Sequence, residues 1–202
     1  GGSSFSPARP ANEARMTLCL VAPAACDGSW EDLTLNLEGR ELGGTLPTQL
    51  GLLSDTLISL NLGDNAISGT IPTQLGRLQR MSSGLWLGRN RLSGTIPEEL
   101  GFLQKMNLEL DLSENDLSGT LPARLALLTT LESQLLLHAN HLSGTVPAAF
   151  AALKPHRCQL ASRIRSRARG GGEPRANRFE CPYTPLNNAC EIRALACPPA
   201  PP

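Results

Sequence analysis

Leucines return along this chain in columns. Leu35, Leu60, Leu85, Leu110 and Leu135 stand 25 residues apart, and each is followed two positions later by another leucine, from Leu37 to Leu137. Side chains alternate along a strand, so a Leu-x-Leu pair turns both leucines to one face of a short strand. A second apolar column runs through Leu42, Ile67, Leu92, Leu117 and Leu142, and a third through Leu53, Leu78, Leu103, Leu128 and Leu153. Ahead of the third column every period carries a proline, from Pro47 to Pro147. The segment after it reads as a short helical turn, because proline suits the first position of a helix. Each coil buries leucines from several sides yet leaves its flat faces open, so neighbouring coils must stack and their strands must form one parallel sheet.

The polar positions repeat in the same frame. Gly-Thr pairs recur from Gly44-Thr45 to Gly144-Thr145, and asparagine recurs at Asn65, Asn90, Asn115 and Asn140. An asparagine amide both donates and accepts, which suits a sharp turn where the backbones of adjacent coils meet. The first coil carries Arg40 there, as an atypical coil at a boundary would. The strings Leu-Gly-Asp-Asn65-Ala-Ile-Ser-Gly-Thr-Ile-Pro72 and Leu-Ser-Glu-Asn115-Asp-Leu-Ser-Gly-Thr-Leu-Pro122 resemble the plant-specific class of leucine-rich repeats. That class occurs in receptor-kinase ectodomains, polygalacturonase-inhibiting proteins and surface proteins of algae and protists. The likeness covers Leu33 to Leu153. It implies an α/β repeat fold: a right-handed solenoid with a parallel concave sheet, short convex helical turns, and a second strand near each Ser-Gly-Thr segment. The ligand surface would be the concave sheet. The period is one residue longer than is usual in the class, the extra residue falling between Met81 and Leu85, Met106 and Leu110, and Leu131 and Leu135.

Composition then sets the ends apart from the array. Aromatics are only 3% of residues, as expected when leucine fills thin, identical layers. Residues 1–15, rich in Gly, Ser, Pro and Ala, are expected to be mobile. Residues 16–32 form an N-terminal cysteine cap in which Trp30 covers the first coil, and residues 33–157 form five repeats. Residues 158–197 hold a degenerate sixth repeat and a C-terminal cysteine cap, and 198–202 a Pro-rich tail. Asn177 aligns with Asn140 at one period plus 12 residues, and the run Arg163 to Arg169 followed by Gly170-Gly171-Gly172 supplies the excess as an inserted loop. The Arg run reads as a tolerated surface insertion ahead of a polyanion patch or a protease site.

Six cysteines, Cys19, Cys26, Cys158, Cys181, Cys190 and Cys197, cluster at the two ends. Their even number reads as disulfides formed outside the cell, with the pairing open, and their spacing is wrong for a zinc knuckle. Localisation is therefore expected to be extracellular or at the cell surface, although no Asn-x-Ser/Thr sequon supports it. No stretch is long and apolar enough to insert in a membrane, and any leader has been removed or was never included. The formal net charge is zero, which favours neither nucleic acid nor an acidic partner.

Chemistry has little foothold. No metal or cofactor site is expected. His138 lies on a strand, but no nucleophile shares its column, and Ser113 on the neighbouring strand lacks a motif to activate it. Asp111 and Glu114 face the same side, with nothing on an open surface to raise the pKa of one and not the other. The chain is read as a binding protein and not an enzyme.

The surface left is the outward face of the strands, in three columns. The first holds Asn36, Asn61, Trp86, Asp111 and Leu136; the second Glu38, Gly63, Gly88, Ser113 and His138; the third Gly39, Asp64, Arg89, Glu114 and Ala139. Trp86 is the large aromatic among them, and interface energy concentrates on such anchors. The candidate partner-binding residues are Asn61, Asp64, Trp86, Arg89, Asp111, Glu114, Leu136 and His138. Asp64, Arg89 and Glu114 could equally form ion pairs between strands. The expected function is recognition of a protein, peptide or glycan ligand through this face, with oligomeric state left open. Alternatives are a secreted inhibitor of a foreign hydrolase and, through the column Thr45 to Thr145, an ice- or mineral-binding face. A second threonine column that would make that face two-dimensional is missing.

Overall fold

The computed structural model describes residues 22–27, 33–153, 157–159, 176–179 and 190–191. The Leu-x-Leu segments form strands β1 (Thr34–Asn36), β2 (Ser59–Asn61), β4 (Gly84–Trp86), β6 (Glu109–Asp111) and β8 (Gln134–Leu136), joined by β10 (Arg157–Gln159) and β12 (Cys190–Glu191). They pair in that order as one seven-stranded sheet, parallel throughout, with Leu35, Leu60, Leu85, Leu110 and Leu135 in register. This is the sheet that the resemblance makes concave. The Ser-Gly-Thr segments contribute β3 (Ser68–Thr70), β5 (Arg91–Gly94), β7 (Asp116–Thr120) and β9 (His141–Gly144) to a second parallel sheet, which β11 (Arg178–Phe179) extends.

The leucine columns supply the core between the sheets and the turns. Leu60, Leu85, Leu110 and Leu135 are fully buried, as are Leu78, Leu103 and Leu128. The segments after the prolines are single 3₁₀ turns, 48–53, 73–77, 98–102, 123–127 and 148–152, each preceded by proline in extended conformation. Gly51, Gly76 and Gly101 let these turns stack closely: a Cβ on Gly51 would stand 2.6 Å from the Gln74 carbonyl oxygen, and one on Gly76 would overlap that of Glu99. A short α-helix, α1 (Pro23–Asp27), lies before the first coil.

Asparagine does what its chemistry allows. Asn115, fully buried, accepts from the Leu92 N–H at 2.9 Å and donates to the carbonyls of Leu87 (3.0 Å), Leu112 (3.2 Å) and Ser113 (3.0 Å). It thus stitches its own coil to the one before. Asn65, Asn90 and Asn140 repeat the arrangement, and Asn177 occupies the same place against Leu142 and Leu137.

The N-terminal segment expected to be mobile, Trp30 and the Arg/Gly-rich insert lie outside the described residues, as do the Pro-rich tail and the side chains of all six cysteines. For Cys158 and Cys190 the backbone alone is described, and the two are register partners in β10 and β12. That places a further strand beyond the sixth repeat. Among the described residues no helix is long and apolar enough to cross a membrane, and no cluster suits a metal ion.

Candidate functional site

Alternation along the strands puts on the outer face of the concave sheet a column that was not anticipated. The column overlooked begins each strand: Thr34, Ser59, Gly84, Glu109 and Gln134. It matters because Glu109 lies diagonally across from Trp86. Gly84 pairs with Glu109 and Trp86 with Asp111, and the Trp86 indole Nε1 donates to Glu109 Oε2 at 2.7 Å. The ring lies back over Gly84, where a Cβ would come within 2.6 Å of its Cη2, and it is partly exposed. Glycine at position 84 is therefore what gives the indole a seat on its own strand.

Trp86 differs from its column neighbours in how it is held. Asn61 Oδ1 accepts from the Gly63 N–H at 3.0 Å, while its Nδ2 donates to Glu38 at 3.0 Å. Asp111 Oδ1 accepts from both the Ser113 N–H (2.8 Å) and the Ser113 hydroxyl (2.6 Å), and the carboxylate leans over Gly88. Leu136, next in the column, is partly exposed. The strip around Trp86 thus contains an indole, two fixed carboxylates, an amide and the side-chain-free positions Gly63 and Gly88.

Burial raises the pKa of Glu109 above its ordinary value; the Trp86 hydrogen bond works the other way and the charge of Asp111 adds to the rise. Asp111 is also raised, again chiefly by burial, against the opposing hydrogen bonds from Ser113 and the charge of His138, and with a further push upward from Glu114. The expectation that nothing here would raise one carboxylate over another is thereby corrected: the surface is not uniformly open.

Two more corrections concern the second and third columns. His138 is only 6% exposed and Ala139 1%, so neither projects outward as anticipated. Residues of the second column are drawn into the asparagine ladder, whose amides donate to the carbonyls of Gly63, Gly88, Ser113 and His138. Asp64, Arg89, Glu114 and Ala139 all have φ between 52° and 56°, so the strand's alternation ends before them. Arg89 and Glu114 meet at 3.3 Å, which realises the lateral ion pair for that couple. Ser113 and His138 neighbour Asp111, and the Ser113 hydroxyl donates its proton to Asp111 Oδ1 at 2.6 Å.

The second sheet presents its own outward row. Thr45, Thr70, Thr95, Thr120 and Thr145 are exposed. The Thr70 methyl sits where a Cβ on Gly94 would stand, 3.0 Å away, and Gly94 itself has φ +75°, so glycine is required there twice over. Beside the threonines, the hydroxyls of Ser68, Ser93 and Ser118 donate to the carbonyls of Gly44, Gly69 and Gly94 in the preceding coil.

The repeats match the family described as Leucine Rich Repeat at residues 56–78, 83–103 and 108–128. Among curated proteins, no sequence matches the chain. Solved structures do. The chain is similar to the plant peptide hormone receptor RGFR1 in its complex with RGF2, at 30% identity and TM-score 0.58, covering 62% of this chain and 20% of that one. It is similar to the BIR2 ectodomain of Arabidopsis thaliana, at 36% identity and TM-score 0.51 over 58% of this chain and 59% of that one. It is also similar to a plant ice-binding protein, at 28% identity and TM-score 0.59 over 73% of this chain and 42% of that one. The chain thus spans between 20% and 59% of these three relatives. With its parallel strands, its 3₁₀ turns and its asparagine ladder, the chain has a leucine-rich repeat solenoid fold similar to that of these plant proteins.

Proposed function

We propose that the chain is an extracellular recognition module that binds a peptide or protein partner on the outer face of its concave sheet, centred on Trp86. The observation that carries this reading is the indole itself, partly exposed on a strand whose leucines point inward and held by Glu109 without being covered. Asn61 and Asp111 are its register partners on the neighbouring strands, and the proposed surface extends from them to Asp64, Arg89, Glu114 and Leu136, with His138 buried beneath. A receptor to which the chain is similar is described as a peptide hormone receptor in complex with its ligand, which supports a peptide or protein as the partner class. The reading needs no catalytic group and no cofactor. Disulfides among the six cysteines of the end segments would fit an extracellular setting.

A photo-crosslinking residue at Asn61 should capture the partner and one at Thr95, on the other sheet, should not. Trp86→Ala should weaken binding by about 2 kcal/mol, roughly thirtyfold, with the fold intact. Crosslinking at Thr95 alone would place the site on the second sheet.

A second reading is supported by the exposed threonine row together with the similarity to a plant ice-binding protein. Thermal hysteresis that is present in the parent and lost in Thr70→Tyr would support it. A parent chain without hysteresis removes it.

A further inference from the structure

We propose that the partner presents a cationic peptide segment to this face, seating a Lys or Arg side chain against Trp86 between Glu109 and Asp111. The inference rests on the concave-face reading above and adds the chemistry of the occupant.

Charge argues first. Along these columns in the first five coils stand five carboxylates, those of Glu38, Asp64, Glu109, Asp111 and Glu114, against Arg89, which is already engaged with Glu114, and the buried His138, whose charge acts on Asp111. The whole chain is neutral, so the acidity belongs to this face and not to the protein at large. A polyanionic ligand would be repelled, and a cation is drawn in and held.

Geometry argues next. A cation beside an indole gains from the negative face of the ring, and the gain grows as water is excluded. Here the indole N–H points into the Glu109 carboxylate, which fixes the ring and leaves the second Glu109 oxygen for a donor from outside. Asp111 is held in the same way by Ser113, with both of those bonds on Oδ1. Neither carboxylate must reorganise to accept a guanidinium or ammonium, so little ordering cost is left for the moment of binding. Burial that makes these charges costly in the free protein is relieved when a cation pairs with them.

The test uses the full chain, labelled with nitrogen-15, and three acetylated, amidated hexapeptides of alternating Gly with Arg, Glu or Ser. The readout is the indole resonance of Trp86, assigned from Trp86→Phe. The Arg peptide should shift it and bind at least tenfold more tightly than the Ser peptide. Raising salt from about 50 to 300 mM should weaken it severalfold. In Glu109→Gln/Asp111→Asn that preference should fall to within twofold, with the circular dichroism spectrum unchanged. Failure of the Arg peptide to bind, or equal binding of Arg and Ser peptides, overturns the proposal. If the Ser or Glu peptide, or a neutral oligosaccharide such as chitohexaose, moves the Trp86 indole while the Arg peptide does not, the cation is wrong and the concave site survives. If the Arg peptide binds but shifts only second-sheet resonances such as Thr70 and Thr95, the concave reading itself is wrong.

Discussion

Asn115→Ala should be among the most damaging single changes to the array. The side chain is fully buried and makes four hydrogen bonds to backbone, so the alanine leaves the Leu92 N–H without its acceptor and strips a donor from the carbonyls of Leu87, Leu112 and Ser113. A buried donor left unsatisfied costs about 1–3 kcal/mol, and the carbonyls add to that, so the total loss should be about 3–5 kcal/mol. That is a large part of the ~5–15 kcal/mol that holds a typical domain together. Urea unfolding at pH 7 measures it, with exposed Asn36→Ala as a control expected to change stability by under ~1 kcal/mol. Asn115→Asp refines the argument. It keeps an acceptor for Leu92 but turns a carboxylate toward carbonyls, so its folded pKa must be raised. The variant should therefore gain on the parent as the pH falls below neutral. A loss of less than ~1 kcal/mol in Asn115→Ala would refute the view that the amides lock coil to coil.

Gly76→Ala should destabilise by about 2 kcal/mol or more, because its Cβ would meet the backbone carbonyl of Glu99 and not a side chain that can move; thermal melting checks this. Thr70→Ala, in contrast, should cost well under ~1 kcal/mol, since the side chain is exposed and only its methyl packs on Gly94. Peptide mapping of the unreduced protein should recover Cys158 joined to Cys190, because the register of β10 and β12 sets their backbones at parallel-strand spacing, ~4.8 Å, within disulfide reach. A peptide joining either to Cys19 or Cys26 would contradict a stacked solenoid.

The array was legible because it is repeated: a leucine at one position could be chance, but the same leucine five periods running at a spacing of 25 cannot be. The asparagine ladder was legible too, since a residue that both donates and accepts recurred where the chain must turn. The site was legible only in part. Trp86 stood out as an outward aromatic, but Glu109 was overlooked because the strand begins one position earlier than the Leu-x-Leu pair suggests. His138 misled because alternation was carried past the point where the backbone bends into the ladder. The positive φ of Arg89 and Glu114 left no trace in their own residue types, although Gly39 and Asp64 in the same column are types that adopt it more readily. The partial burial of Asp111 was hidden as well, because it depends on how strands of different coils crowd one carboxylate.

That burial gives the last prediction. Glu109 and Asp111 both have folded pKa values above their ordinary 4.5 and 3.8, so the folded protein holds protons that the unfolded chain releases. The sign follows: whatever the pair contributes to stability is fully present below the ordinary carboxylate range and is lost as the pH rises through the raised folded values. Once deprotonated, each carries a charge that its burial disfavours. Glu109→Gln removes one such charge while its Oε1 still accepts the Trp86 N–H, and it also lifts the repulsion from Asp111. Its melting temperature should exceed the parent's at pH 7, and the advantage should shrink toward zero near pH 4. Asp111→Asn should show a smaller gain, because the charge of His138, which favours the carboxylate, is opposed to the repulsion from Glu114. A Glu109→Gln variant that is less stable at pH 7, or one whose difference from the parent does not change with pH, would show that these carboxylates carry no such penalty. If the penalty is there, it falls on the two groups that flank the exposed indole, and a charge held at the expense of stability is expected where binding requires it.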